Sequence, residues 1–222
     1  MTTDNSKLMR TKQTMNERIM RMIGLTFIIC HLSFGFSACS EEDDTVDEFN
    51  NWQQRNDQFF ATLEDSLTRG SGTWMKIKSF SKDPSLATGS KDDCIYVKVI
   101  ETHKSSETES PLYNDSVRLS YQGRLIPSIN NPEGKIFDGT VFGNYDSKTN
   151  ASSKFKVSGL VKGFSTAVMN MRRGDTWLVY IPYSLGYGST TSNTSIPAYS
   201  TLIFKMTLRD FAYEGKALPN MQ

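Results

Sequence analysis

The decisive stretch reads Val161-Lys162-Gly163-Phe164-Ser165-Thr166-Ala167-Val168-Met169-Asn170-Met171-Arg172-Arg173-Gly174-Asp175. Phe164, Val168 and Met171 recur at helical spacing and so share one face. Gly163 precedes the turn into this helix, and Gly174 follows it, where a left-handed stop costs glycine least. Arg172 and Arg173 then fall in the last turn and suit the negative end of the helix dipole. Strand-like runs flank the stretch on both sides. A single short helix among strands must lie across a sheet to bury its apolar face. The residues at its entry, Leu160, Val161 and Phe164, then line the gap between helix and sheet.

Working outward, Ile95 to Ile100 reads as a strand. Val117, Leu119 and Tyr121 alternate with Arg118 and Ser120, the period of a half-buried strand, with Gly123 easing a bend. Lys135-Ile136-Phe137-Asp138 follows a turn, and a long polar stretch separates it from Phe155-Lys156-Val157. Trp177 to Ile181 is apolar on both faces and therefore central in a sheet. Leu202, Phe204, Met206 and Leu208 complete the set. The pattern predicts an α+β domain, with an antiparallel sheet of about five or six strands and one helix.

Upstream, Val46, Phe49, Trp52, Phe59, Phe60, Leu63 and Leu67 repeat with helical spacing, Asn56 filling the gap in the stripe. This predicts an amphipathic helix from Thr45 to about Arg69, capped by Asp44 or Thr45, with Asp47 and Glu48 in its first turn. It reads as packed on the following domain, a dimerisation arm being the alternative. Thr73 to Gly89 reads as an irregular connector. The expected organisation is a signal peptide at 1–38, an acidic spacer at 39–44, helix and connector at 45–92, the main domain at 93–213 and a tail at 214–222.

The leader carries Lys12, Arg18 and Arg21 ahead of an apolar run from Met22 to Phe36. That run is short for a spanning helix and ends in small residues, which is a signal peptide pattern. Phe36-Ser37-Ala38-Cys39 resembles a bacterial lipobox, which implies cleavage before Cys39 and acylation of its thiol. The expected location is the cell envelope, with the lipid on Cys39 in the outer membrane. Ser40-Glu41-Glu42-Asp43-Asp44 is either a solvated spacer or a tag for export to the outer cell face. The 222 residues carry a net charge of +1, which gives no reason to expect nucleic acid as a partner.

Beyond the leader and Cys39, Cys94 is the one remaining thiol and His103 the one remaining histidine. Cys94 sits in a strand-like run and reads as buried and structural. His103 lies in a polar turn. No Ser–His–Asp or Cys–His pair is legible, and no His-based zinc site.

Several segments then fall into one ordered series. They are Val117-Arg118-Leu119-Ser120-Tyr121-Gln122-Gly123, Glu133-Gly134-Lys135-Ile136-Phe137-Asp138, Leu160-Val161-Lys162-Gly163-Phe164, Met171-Arg172-Arg173-Gly174-Asp175, Ile181-Pro182, Leu185-Gly186-Tyr187-Gly188 and Ile196-Pro197-Ala198-Tyr199-Ser200-Thr201-Leu202-Ile203-Phe204. From about Ile95 to Phe211 the chain resembles the FKBP-type peptidyl-prolyl cis-trans isomerases. The resemblance implies a twisted antiparallel half-barrel wrapped around the short helix. It implies a site formed by Tyr121, Phe137, Asp138, Phe155, Leu160, Val161, Tyr187, Ile196 and Phe204, with Phe164 as its floor. It further implies proline-containing polypeptides as substrates, macrolides as ligands, and no cofactor or metal. The role expected of such a protein is assisting the folding of envelope or secreted proteins. The alternative is a weakly active or non-catalytic binding module on a surface lipoprotein.

Three features depart from the family pattern. Phe164 stands where the family usually has tryptophan, so the floor lacks an indole N–H. Ser195 makes one rim more polar. The segment from Asp138 to Phe155 is unusually long, and its Phe142 and Tyr145 are placed to cover the pocket or extend it.

Overall fold

The computed structural model describes residues 47–219, apart from 70–71, 86–88, 147 and 191–194. The leader, Cys39 and the acidic stretch lie outside the described residues.

The expected α+β architecture is present, with more strands than the sequence pattern indicated. Helix α1 (Trp52–Arg69) is followed by β1 (Trp74–Lys78), β2 (Cys94–Glu101), β3 (Ser116–Arg124), β4 (Ile136–Gly139) and β5 (Ser153–Lys156). Helix α2 (Lys162–Asn170), β6 (Thr176–Ile181) and β7 (Leu202–Ala212) follow, the last of the α-helices and strands among the described residues. The seven strands form one sheet in the order β1-β2-β6-β7-β3-β4, and β5 pairs with β3. Every pairing is antiparallel.

The strand missed in the sequence is β1, which lies in the stretch read as an irregular connector. It pairs along its whole length with β2, Trp74 opposite Lys98 and Lys78 opposite Cys94. Five residues are too few for a periodic pattern to stand out, so only the pairing defines this edge strand.

Strand β2 puts Ile95 and Val97 on one face and Cys94 and Tyr96 on the other, and all four are buried. The inner face carries the main core. Phe164, Ala167, Val168 and Met171 from the α2 region meet Val179, Ile181, Met206 and Leu208 there. The outer face of β2 is covered by α1, whose Phe60 and Leu63 pack on Cys94 and Tyr96. The Phe60 and Tyr96 rings meet edge to face at 4.9 Å. Each large apolar side chain so buried contributes about 1.5–3 kcal/mol. The helix is thus packed on the sheet, as the first of the two readings expected. Burial pushes the Cys94 thiol above its ordinary value, as fits an inert structural cysteine.

Helix α1 starts later than expected. Asp47 and Glu48 precede it in a tight turn, where Asp47 Oδ1 accepts the Phe49 N–H at 3.0 Å. Asn51 adopts φ 51°, a left-handed conformation that asparagine tolerates, and its carbonyl accepts the Arg55 N–H. The apolar stripe carries straight through this turn, so periodicity alone could not locate the start.

Helix α2 ends earlier than expected, at Asn170, and Met171 leaves it with extended backbone. Arg172 and Arg173 therefore lie past the helix rather than in its last turn. Gly174, at φ 95°, turns the chain four residues beyond the helix end, and not as its stop. The Asp175 carboxylate organises this corner. It accepts the Arg172 N–H at 2.7 Å, the His103 N–H at 2.8 Å and His103 Nδ1 at 2.8 Å. The histidine thus ties the β2–β3 loop to the turn after α2.

Gly163 lies inside the first turn of α2 rather than before it. A Cβ there would stand 2.3 Å from Ile181 Cγ2, so the absence of a side chain lets α2 sit close on β6. Gly123 has a similar role. A Cβ would meet Phe204 at 2.7 Å and Phe137 at 2.8 Å, so these two rings can pass over β3 only because it is glycine.

Strand β3 is buried on both faces, not half-buried. The cause is the long stretch between β4 and β5. Both strands pair with the same edge of β3, β4 with its C-terminal half and β5 with its N-terminal half. The intervening chain folds over the outer face. Tyr145 donates its hydroxyl to the Ser120 carbonyl at 2.8 Å, and the same hydroxyl lies 2.9 Å from Thr207 Oγ1. Arg209 reaches Ser120 Oγ and the Asn150 carbonyl. Ser120 and Tyr145 on this face are thereby covered and hydrogen-bonded, as burial of polar groups favours. The tail also returns to this strand, where the Pro219 carbonyl accepts an Arg118 N–H at 2.6 Å.

Candidate functional site

The N-terminal end of α2 opens onto a cavity of about 180 Å³ on the inner face of the sheet. Its lining is Tyr121 from β3, Asp138 from β4, Phe155 from β5, Gly159, Leu160, Val161 and Phe164 from the entry to α2, Tyr187, and Phe204 from β7. Alternation along each strand explains the convergence. Tyr121 shares the inner face of β3 with Val117 and Leu119, and Phe204 shares that of β7 with Met206 and Leu208. Val161 is the residue that begins α2, with extended backbone at φ −61° and ψ 149°.

The aromatic rings form one connected set. Phe164, nearly fully buried, meets Phe204 at 4.8 Å and Tyr121 at 5.9 Å, both edge to face. Tyr121 also meets Phe155 at 5.6 Å. Such edge-to-face pairs add roughly 0.5–1.5 kcal/mol beyond their burial and fix ring orientation. The cavity is therefore a rigid apolar box, with Phe164 at its base.

Its polar groups are few and directed. Tyr121 donates its hydroxyl to Asp138 Oδ2 at 2.9 Å, and Oδ1 of the same carboxylate accepts the Gly139 N–H at 2.8 Å. Burial raises the Tyr121 phenol well above its ordinary value, and the bond to Asp138 raises it further. Tyr187 is also raised, first by burial and then by the Asp138 charge. Both phenols stay protonated across the physiological range and act as neutral donors. Tyr187 is 42% exposed and stands at the mouth.

Of the residues singled out in the sequence, Tyr121, Asp138, Phe155, Leu160, Val161, Phe164, Tyr187 and Phe204 are brought together here. Phe137 and Ile196 are not among the lining. Phe137 is partly buried, its ring 5.5 Å from Phe204. Ile196 is 3% exposed and belongs to the core. Gly159 is a lining residue the sequence reading missed, since a glycine in a polar turn carries no pattern. Phe142, at 71% exposed, and Tyr145 lie away from the cavity, because the long stretch covers the opposite face of the sheet. Larger hollows occur along α1 (about 590 Å³) and beside His103 (about 560 Å³), but neither surrounds its space with aromatic rings.

Comparison with known proteins places this geometry. Residues 107–209 match the family model described as FKBP-type peptidyl-prolyl cis-trans isomerase. The 22 kDa FKBP-type isomerase of Escherichia coli is 35% identical over 98 residues, covering 44% of this chain and 42% of that protein. The outer membrane protein MIP of Legionella longbeachae is 34% identical over 98 residues, covering 44% of this chain and 37% of that protein. The matched stretch thus spans about half or less of the length of such relatives. A crystal structure of a peptidyl-prolyl cis-trans isomerase from Pseudomonas syringae superposes with a TM-score of 0.51 at 20% identity. It covers 76% of this chain and 98% of that one, a likeness of fold. The family match begins after β2, so α1, β1 and β2 lie outside it.

Proposed function

We propose that this protein is a peptidyl-prolyl cis-trans isomerase that assists folding of envelope or secreted proteins, held at a membrane by a lipid on Cys39. The observation that carries the reading is the aromatic box at the start of α2, with its Tyr121–Asp138 hydrogen bond at 2.9 Å.

Rotation about the bond preceding proline is opposed by amide resonance, a barrier of about 18–20 kcal/mol. Water stabilises the planar, charge-separated amide by hydrogen-bonding its carbonyl. A box of rings that excludes water favours the twisted state, in which resonance is lost. No bond breaks, so no nucleophile and no proton transfer is required. That chemistry suits a site whose titratable lining groups are two neutral phenols and one carboxylate engaged by Tyr121. In this reading the pyrrolidine ring enters between Tyr121, Phe155 and Phe204 and rests on Phe164. A cavity of about 180 Å³ has room for one such ring. The Tyr187 hydroxyl and the Val161 backbone N–H hold the substrate chain, and Asp138 orients Tyr121.

Location in the cell envelope is supported by the basic and apolar leader, by the lipobox-like Phe36-Ser37-Ala38-Cys39 and by the outer membrane relative. A second reading, a binding module with little turnover, is favoured by phenylalanine rather than tryptophan at position 164.

The test is protease-free isomerisation of proline tetrapeptides by the detergent-solubilised full chain. Acceleration above the uncatalysed rate, lost in Phe155→Ala and Tyr121→Ala variants that remain folded, is the expected result. A folded parent without turnover, yet able to bind a proline peptide, sinks the enzyme and leaves the binding module.

A further inference from the structure

Helix α1 lies outside the family match, yet its first turns are bonded to the segment that leads into β7. Trp52, 6% exposed, donates its indole N–H to Ser200 Oγ at 2.8 Å. Ser200 Oγ in turn donates to the Pro197 carbonyl at 2.7 Å. One turn further along α1, Asn56 is 1% exposed and its Oδ1 accepts the Thr201 N–H at 2.7 Å. Its amide nitrogen is held by the Trp52 carbonyl at 2.8 Å, which fixes the orientation of the side chain. Two buried side chains of α1 thus grip consecutive residues of the segment leading into β7.

The same segment grips the turn that carries Tyr187. The Tyr199 N–H donates to the Gly188 carbonyl at 3.0 Å, and the Gly188 N–H donates to the Tyr183 carbonyl at 2.8 Å. The Tyr183 and Tyr199 rings meet edge to face at 5.2 Å. Tyr199 has φ 61°, a left-handed conformation that costs a bulky side chain free energy and persists only when its surroundings impose it. The imposing contacts are those just described, with Ser200 and Thr201 fixed by α1 on one side and Gly188 on the other.

Three further contacts, from Arg55 in α1 and from Glu48 just ahead of it, reach a separate loop. Arg55 donates to the Pro127 carbonyl at 3.1 Å, and the Glu48 carboxylate accepts from Ser128 at 2.6 Å and from the Asn131 side-chain amide. The helix therefore braces chain on two sides, and covering the Tyr96 face of the sheet is only part of its role.

We infer that Trp52 and Asn56 are positioning residues for the substrate site: through Ser200, Thr201 and Tyr199 they set where Tyr187 stands at the cavity mouth. The inference rests on the isomerase reading for its kinetic consequence, and on geometry alone for its structural one. Tyr187 is the most exposed of the aromatic lining residues, so it depends most on contacts behind it.

Trp52→Phe keeps an aromatic ring in place and removes only the N–H. The comparison variant is Leu63→Val, which loosens α1 on Tyr96 and leaves the Ser200 and Thr201 bonds untouched. Trp52→Phe is expected to raise KM for a proline tetrapeptide about two- to tenfold, the equivalent of one neutral hydrogen bond, with kcat nearly unchanged. Leu63→Val is expected to lower the melting temperature and leave KM as in the parent. Amide hydrogen exchange is followed in the same three proteins. Faster exchange at Tyr199 and Thr201 in Trp52→Phe but not in Leu63→Val supports the inference, whether or not the parent turns over substrate. Equal exchange in the two variants overturns it, and so does an unchanged KM in Trp52→Phe when the parent is active. An inactive parent that shows the selective exchange change refutes the isomerase reading and leaves the positioning of Tyr187 standing.

Discussion

Gly163→Ala sets two physical effects against each other. In a helix interior, alanine is favoured over glycine by about 1 kcal/mol. Helix propensity alone therefore predicts stabilisation. The structure predicts the reverse. The added Cβ would lie 2.3 Å from Ile181 Cγ2, 3.1 Å from Cγ1 and 3.2 Å from Cβ, whereas ordinary contact begins at 3.4 Å. Ile181 is fully buried in the middle of the sheet packing and has no space into which to turn. Helix α2 must therefore lift from β6 by about 1 Å, the shortfall at the closest contact. Overpacking of this kind costs about 1–3 kcal/mol. The net expectation is a loss of about 1 kcal/mol, or a fall of about 2–4 °C in melting temperature for a domain of this size. Leu160, Val161 and Phe164 ride on the lifted end, so kcat/KM for a proline tetrapeptide falls tenfold or more, since a misplacement of about 1 Å can cost up to about 10²-fold. Thermal melts by circular dichroism and protease-free isomerisation measure both effects. A cycle with Ile181→Ala isolates the contact. The double variant should be more stable than the sum of the single losses, by about 0.5–3 kcal/mol. A rise in melting temperature for Gly163→Ala, or strict additivity in the cycle, would falsify the claim that α2 is held close to β6 by the missing side chain.

Three further expectations follow from other sites. Burial pushes the Tyr145 phenol up to about 12, so the stability gained by keeping it protonated is complete below about pH 10 and is lost as pH rises through about 12. Tyr145→Phe should flatten the alkaline limb of a stability-against-pH curve in that window, and an unchanged limb refutes it. Phe164→Trp restores an indole N–H to the cavity floor and reduces its free space. Macrolide titration by indole fluorescence should show tighter binding than in the parent, and weaker binding by a folded variant counts against the assignment of Phe164 as the floor. Cys39→Ala should move the protein from the membrane fraction to the soluble one with its leader cleaved, and retention in the membrane rules out the lipid as its anchor.

Much of the site was legible in the residues because its parts are local patterns repeated in order. The period of Val117, Leu119 and Tyr121 places the tyrosine on the inner face, and Leu160 to Phe164 marks the entry to a helix that must cross a sheet. Phe204 follows from its alternation with Met206 and Leu208. These features depend on side-chain period and backbone geometry, which neighbouring residues fix between them. Phe137 and Ile196 were assigned to the lining by resemblance, but whether a side chain lines a cavity depends on what packs beside it. Gly163 and Gly123 were read as turn and bend residues, since nothing in the sequence shows that Ile181, Phe137 and Phe204 pass within contact of them.

The larger differences share one cause. Strand β1 exists because β2 offers it an edge, and the long stretch after Asp138 leaves the cavity open because Ser120 and Thr207 give Tyr145 partners on the other face. Trp52 reads in the sequence as one more apolar position in a helical stripe, yet its indole bonds a serine 148 positions away. The periods, the order of the elements and the chemistry available to the cavity follow from the residues and their neighbours in the chain. Tertiary contacts fix which face each cover occupies, where α2 stops, and how a helix outside the matched stretch comes to brace Tyr187. These depend on contacts between residues far apart in the chain, and local sequence patterns do not encode them.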